Sequence, residues 1–402
     1  MSFKTLRDIE VKGHRVFLRA DLNVPIKDGV IADTTRIRET MRTLKHLLDN
    51  GASVVLCSHL GRPKGVGFEA EFSMAPVAAW LQAQGLDLRL ASIADGVAGP
   101  TVAAEAAALK PGQILLLENL RFEKGETKND PVFAKALAAL ADTYVNDAFG
   151  SAHRAHASVS GCVPDFAPGR AVAGFLMEKE LTALGKIMHN PERPLIAVMG
   201  GSKVSDKIGI IRQFFGKADS ILVGGAMTFT FLKAMGIGIG TSRCEEDKLD
   251  LALALIDEAK AAGTRLLLPL DHVVASAFSA DAECAITQDQ AVPDGKMGLD
   301  IGPETVAVYT EEIRKARTIL WNGPMGVFEM EPFASGTLTL AEEMAEAADR
   351  GAYVLVGGGD SVTAAAKAGV TQRMSHISTG GGASLEFLSG MELPGVAALQ
   401  TK

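Results

Sequence analysis

Cysteine is scarce in this sequence. Cys57, Cys162, Cys244 and Cys284 are the only four among 402 residues, and no two of them stand in a C-x-x-C pair. That sets aside a disulfide framework and a zinc cluster, and it fits reduced thiols in a cytoplasm. No apolar run reaches the ~20 residues that a membrane-spanning helix needs. Residues 1–21 are charged throughout and lack the apolar core of a secretory signal, so a cytoplasmic protein with no membrane partner is expected. Three strings are missing as well. There is no G-x-S-x-G, which argues against the hydrolases that carry it, and no G-x-x-x-x-G-K-[ST] phosphate loop. Gly236-Ile-Gly-Ile-Gly-Thr241 resembles a dinucleotide fingerprint only loosely, and with no strand running into it we read it as a turn. Positive charge is not in excess either. Forty basic residues face 48 acidic ones, a net charge of −8, which disfavours non-specific nucleic-acid binding but leaves room for a local basic pocket.

What is present is a long alternation. Short Val/Ile/Leu runs (15–18, 53–57, 114–117, 195–199, 220–223, 318–321, 352–356) are separated by Ala-rich helical segments (34–50, 74–85, 131–141, 206–216, 248–263, 338–351). Strands apolar on both faces that alternate with helices predict parallel sheets of the α/β type. Glycine is placed to stop helices at Gly51, Gly85, Gly216, Gly263, Gly351 and Gly369. At ~100–200 residues per domain the length favours two domains. A helical stretch ending in Asn-Pro-Glu-Arg-Pro near residues 175–192 is the expected connector. The reading is therefore two doubly wound parallel-sheet, Rossmann-like domains, 1–175 and 193–384, joined by a hinge helix at 176–192.

The two halves differ in the residues placed at their strand ends. In the first half these read LRADLNVP (18–25), CSHLGRPKG (57–65), LENLRFEKGE (117–126) and VNDAFGSAHRAHAS (145–158); in the second they read AVMGGSKVSDK (197–207), LVGGAMTF (222–229), LWNGPMGVFE (320–329) and LVGGGDS (355–361). Open α/β sheets bind ligands at the carboxyl ends of their strands. One half thus presents cations: Arg19, Arg36, His59, Arg62, Arg121, Arg154 and His153 or His156. Arginine binds phosphate and carboxylate through paired donors, so this set looks like an anion pocket. His153 and His156 at i, i+3 could hold a metal, but no third ligand is apparent.

The other half presents bare backbone. Gly357–Gly359 before a helix could seat phosphate, with Asp360 holding Mg²⁺; equally, the turn could be structural, with Asp360 or Ser361 merely capping the helix. Lys203 and Lys207, one helical turn apart near a helix start, oppose the helix dipole, which suggests that an anion sits there; solvated lysines are the plainer reading. No general-base motif stands out. A carboxylate attacking a phosphoryl group needs none, because it is already ionised near neutral pH.

RADLNVP, SHLGRP, ENLRF, NDAFGSAHR, GFLMEKEL, GGSKVSDKI, LVGGAMTFTFL, WNGPMGVFE, GGGDS and STGGGASLEFL together make the chain closely similar to the phosphoglycerate kinase family over essentially its whole length. The resemblance implies reversible phosphoryl transfer between 1,3-bisphosphoglycerate with ADP and 3-phosphoglycerate with MgATP, by domain closure, in a glycolytic monomer. It implies that Asp21 and Asn23 bind the glycerate end and that Arg36, His59, Arg62, Arg121 and Arg154 hold its phosphate and carboxylate, with Arg36 nearest the transferred group. Lys203 and Lys207 would contact the nucleotide phosphates. Gly224, Gly225, Gly298, Asn322 and Glu329 would border adenine and ribose. Gly358, Gly359 and Ser361 would hold phosphate, Asp360 would ligate Mg²⁺, Gly381 would act in closure, and residues 385–402 would return to the first domain. Thr241–Cys244 and Val273–Phe278 are less typical of the family and leave details of the nucleotide pocket open. Two rival readings are a nicotinamide-dependent oxidoreductase and a non-catalytic two-domain anion-binding protein.

Overall fold

The computed structural model describes residues 3–27 and 29–399. The chain divides into two compact units: one runs to Thr182 and resumes at Glu392, the other is Ala183–Met391. The division falls inside the helix Phe175–His189, so the connector is one continuous helix and its first half belongs to the first unit.

In the first unit, β1 (Arg15–Ala20), β2 (Ser53–Cys57), β3 (Leu88–Leu90), β4 (Ile114–Leu116), β5 (Thr143–Asp147) and β6 (Ala171–Ala173) form one sheet in the order β3-β4-β2-β1-β5-β6. Every pairing in it is parallel; Val16 lies between Val54 and Thr143. β2, β4 and β5 are buried along their full length; β2 and β4 accordingly read as unbroken runs of apolar or small residues, while β5 ends in the buried polar pair Asn146 and Asp147. Leu44, Leu47, Val54, Leu56, Val77 and Leu81 are among the residues that knit helices 35–49 and 75–83 to one face of the sheet.

The second unit builds β7 (Leu195–Met199), β8 (Ser220–Val223), β9 (Arg265–Leu267), β10 (His272–Ala275), β11 (Cys284–Ile286), β12 (Met297–Ile301), β13 (Thr318–Asn322), β14 (Tyr353–Val356) and β15 (His376–Ile377). Six of these form a sheet in the order β9-β8-β7-β13-β14-β15, again parallel throughout. Strand order reverses between β7 and β13, the position where such sheets open a binding crevice. A three-stranded antiparallel sheet, β11-β10-β12, is added beside it. Sequence reading does not anticipate this sheet, because its strands are short and β11 is exposed at every residue, leaving no apolar run to see.

All six glycines expected to end helices have positive φ, from 71° at Gly263 to 97° at Gly351. The hinge helix begins differently. Asp147, the last residue of β5, is fully buried, and its Oδ1 accepts from the backbone N–H groups of Leu176 (2.8 Å) and Met177 (3.3 Å). A Cβ at Gly174 would lie 2.2 Å from that same oxygen, so only glycine lets the carboxylate reach the helix start. Burial raises the Asp147 carboxyl to about 6 against these stabilising bonds.

Asp147→Ala removes both capping bonds and is expected to lower unfolding free energy by about 1–2 kcal/mol, read by denaturant titration. Because the native carboxyl holds its proton up to about 6 and the unfolded one only to ~3.9, stability falls as pH rises through that window. Asp147→Asn should flatten this decline.

Candidate active site

The first unit carries most of the expected cations at or just beyond the carboxyl ends of its strands, with Arg36 in the first turn of the helix 35–49. Arg19, at the end of β1, is completely buried. Its Nε donates to Ser158 Oγ (3.0 Å), Nη1 to the Ala20 carbonyl, and Nη2 to His59 Nδ1 (3.1 Å) and Ser151 Oγ (3.5 Å). Ser158 in turn donates from its hydroxyl (2.6 Å) and its backbone N–H (3.0 Å) to Glu126, itself wholly buried. Arg121 donates from Nη1 to the Gly61 carbonyl (2.7 Å), while its Nε is buried with no hydrogen-bond partner. Burial, then Arg154 and Arg19, push the Arg121 guanidinium down to about 10.

His59 is buried and held well below the ordinary histidine range by that burial and by Arg19, Arg121 and Arg154. His156 is pushed down to about 4 by burial and by the same three arginines. Cations that depress one another across a largely buried pocket, beside an unused donor, are arranged to receive an anion.

Asp21, Asn23 and Arg36 follow β1 in the chain. Arg36 Nη1 donates to Asp21 Oδ2 (2.8 Å) and stays 41% exposed, so its remaining donors face solvent. Asn23 Oδ1 accepts from the Gly61 N–H (2.9 Å), which ties the β1 loop to the β2 loop that carries Arg62. Arg62 is exposed. His153 and His156 do not make a metal pair: His153 Nε2 accepts from Arg154 Nε (3.2 Å), and His156 Nδ1 lies 3.8 Å from Glu126 Oε1. Among the described residues no group of three His, Cys, Asp or Glu side chains could hold an ion.

In the second unit the crevice between β7 and β13 is made by backbone meeting backbone. A Cβ at Gly200 would lie 1.9 Å from the Pro324 carbonyl oxygen, one at Gly323 2.1 Å from the Gly200 carbonyl oxygen, and one at Gly225 2.5 Å from the Gly201 carbonyl oxygen. Beside these glycines opens a cleft of about 760 Å³ whose lining includes Gly225, Phe229, Gly298, Met325, Val327 and Glu329, with Asp360 among its polar groups. Gly298 has to be glycine because a Cβ there would overlap the Phe229 ring. The lining is largely apolar with a few polar groups, which suits a planar base and sugar.

The phosphate-handling candidates sit around Lys207. Its ammonium group donates to Asn322 Oδ1, and Asn322 Nδ2 donates to the Gly357 carbonyl (2.7 Å). Burial pulls the Lys207 pKa down, while Asp206 and Asp360 oppose that pull. Asn322 is fully buried and is not among the residues that line the cleft; its side-chain oxygen faces Lys207. Lys203 is exposed, and Gly224 is buried with Met325 Sδ 2.5 Å from where its Cβ would be.

The helix Gly359–Lys367 starts at Gly358 (φ 91°) and has no side-chain cap. Ser361 does not cap it, because its Oγ accepts from the Gly323 N–H instead (2.6 Å). Asp360 is exposed beside that open helix start. The plain reading of this turn, a carboxylate or hydroxyl spent on capping, is therefore not what the fold does. Gly381 (φ 53°) likewise precedes a helix, Gly382–Leu388, that has no side-chain cap.

Sequence reasoning names Arg19 but assigns it no partner, and it passes over Ser158 and Glu126, whose burial no local pattern announces. Phe229, Met325 and Val327 lie inside family motifs, yet their place on the cleft wall depends on the β7–β13 crossing.

The family profile described as phosphoglycerate kinase matches residues 6–391. A phosphoglycerate kinase of Chloroflexus aurantiacus is 53% identical over 401 residues, covering 100% of this chain and 99% of its own. A cytosolic phosphoglycerate kinase of Triticum aestivum is 53% identical over 99% of this chain and 98% of its own. Among solved structures, the phosphoglycerate kinase of Coxiella burnetii superposes with a TM-score of 0.91 at 42% identity, covering 99% of each chain. That of Pyrococcus horikoshii does so with 0.79 at 32% identity, over 99% of this chain and 98% of its own. With the two parallel sheets and the residues at their strand ends, these full-length matches show that the chain belongs to the phosphoglycerate kinase family of glycolytic phosphotransferases.

Proposed function

We propose that the first unit holds 3-phosphoglycerate or 1,3-bisphosphoglycerate, and that the cleft of the second holds ATP or ADP. The observation that carries this division is the open start of the helix Gly359–Lys367, with Lys207 and Asp360 beside it and an apolar cleft adjoining. On the first unit, Arg62, Arg121 and Arg154 bind the phosphate of the three-carbon acid with His59. Asp21 and Asn23 take its hydroxyl end, and Arg36, braced by Asp21, lies towards the reacting carboxylate. On the second, Gly225, Gly298 and Glu329 border the base and ribose, while Lys203, Lys207 and the N–H groups at Gly358 to Ser361 receive the phosphates.

The chemistry asks for charge neutralisation more than for proton transfer. The attacking carboxylate is ionised at neutral pH, so in the direction of ATP use it displaces ADP directly from the γ-phosphorus and no base is required. Lys207 and Arg36 each place positive charge where negative charge develops. Asn322 fixes Lys207, and that rigidity spares reorganisation during transfer. Asp360 suits a cation that arrives on the nucleotide: one carboxylate with phosphate oxygens is how Mg²⁺ is usually held, and no described cluster offers a protein-only cage. When bound, Mg²⁺ would offset phosphate charge. Donor and acceptor on separate units must be brought together for reaction, so closure about the connecting helix, with Gly381 as a pivot, is part of the reading. So are a monomeric state and work in the cytoplasm, as the family resemblance implies.

Incubation with 3-phosphoglycerate, MgATP and hydroxylamine should trap the acyl phosphate as a hydroxamate, and formation should depend on all three components together with the enzyme. Binding of both ligands without hydroxamate would defeat the catalytic assignment.

Lys207→Ala is expected to lower kcat by about 100- to 1,000-fold, the cost of one charge-stabilising group. Asn322→Ala should lower it by about tenfold through loss of positioning. Steady-state kinetics separate the two, and an effect confined to KM would contradict both roles. Asp360→Asn should raise the Mg²⁺ concentration giving half-maximal rate; an unchanged Mg²⁺ titration would rule out the metal assignment.

A further inference from the structure

Arg19 is the one cation of the first-unit group that is wholly enclosed, and its hydrogen bonds to Ser158, Ala20, His59 and Ser151 are all with protein. We propose that Arg19 is a positioning residue that sets the tautomer of His59, so that His59 meets the acidic ligand as a neutral Nε2–H donor. This rests on the reading of the first unit as the 3-phosphoglycerate face.

A guanidinium has five N–H groups and no lone pair to offer. At 3.1 Å between Arg19 Nη2 and His59 Nδ1, the nitrogen that accepts must be Nδ1. A neutral imidazole that accepts at Nδ1 carries its proton on Nε2. Arg19 has little freedom to turn away. Nε is engaged by Ser158, Nη1 by the Ala20 carbonyl, and Ser158 is clamped to Glu126 through both its hydroxyl and its backbone.

A second proton on His59 would have to enter at Nδ1, where the Arg19 N–H already points. It would also add charge among Arg19, Arg121, Arg154 and His156. The carboxylate on this cluster, Glu126, is 3.8 Å from His156 Nδ1 and shares the Ser158 hydroxyl with Arg19. His59 thus supplies direction without charge. The arginines supply charge, and the histidine supplies one aimed hydrogen bond that does not switch on or off across neutral pH.

The test uses the full chain with ¹⁵N-labelled histidine and long-range proton–nitrogen correlation. His59 is expected to show a bare Nδ1 and a protonated Nε2, to remain neutral down to pH 6, and to shift at Nε2 when 3-phosphoglycerate is added. A protonated Nδ1 in the unliganded enzyme overturns the proposal. Arg19→Met removes the donors at similar length. It should release His59 to a tautomer mixture and raise KM for 3-phosphoglycerate about tenfold, equivalent to about 1.4 kcal/mol, with KM for MgATP unchanged.

His59→Gln separates positioning from mere structural support, because its side-chain amide is a donor whatever Arg19 does. In that background Arg19→Met should change the same KM by less than about twofold. An equal cost in both backgrounds overturns the proposal. If Arg19→Met does not fold, the wild-type tautomer decides alone. Absence of 3-phosphoglycerate binding by calorimetry would overturn the substrate reading, and the ligand half of the proposal with it, whatever tautomer His59 shows.

Discussion

Guanidinium groups repel one another, and the first unit nevertheless holds Arg154 and Arg19 near Arg121, where they add to burial in bringing its pKa down to about 10. The sheet makes this tolerable. β1, β2, β4 and β5 are locked in parallel register, so the loops that leave their carboxyl ends converge whether or not their side chains attract each other. Part of the strain is relieved from below, where Glu126 and Ser158 give Arg19 an indirect counter-charge. The remainder is left for a ligand. A cluster of this kind is less stable empty than when an anion neutralises it.

The second unit solves the converse problem. On the reading proposed above it must bring backbone N–H groups close to a bulky polyanion, and side chains are absent where β7 and β13 part. Gly200, Gly225 and Gly323 are required by carbonyl oxygens that would overlap any Cβ, so their cost in conformational freedom is set by packing. Of the two lysines near this crevice, the fold immobilises Lys207 through Asn322 and leaves Lys203 exposed. One lysine is positioned and the other is free to follow the ligand.

Much of this is visible in the sequence because parallel strands buried on both faces leave unbroken apolar runs. Residues 53–57, 195–199 and 220–223 are read to the residue. β3, β6 and β15 are too short to show, and the antiparallel sheet 272–301 lacks the alternation that would reveal it. Candidate site residues stand out where motif and strand end coincide, as at Asp21, His59, Lys207 and Asp360. Asn322 also belongs to a legible motif, but its burial against Lys207 is a tertiary fact that neighbouring residues do not encode. The same holds for Glu126, a charged residue in a charged segment that is nonetheless sealed inside. The nicotinamide alternative fails at the family level, although the β9-β8-β7-β13-β14-β15 order is the one that dinucleotide-binding domains use.

The first unit is not made from consecutive sequence. Gly395 donates its N–H to the Ala152 carbonyl (2.8 Å), and its bare Cα lets the helix Pro394–Ala397 lie against Val159, where a Cβ would come within 2.7 Å. Those residues leave the ribosome only after the whole of the second unit has been made. During translation, the segment bearing Arg154 and Ser158 must therefore wait without its last packing partner while more than two hundred residues are added. A chain stalled late in synthesis would carry a finished second unit and a first unit still open at this edge. For this architecture, the order in which the two folds are completed on the ribosome is the reverse of the order in which their coding segments begin to be read.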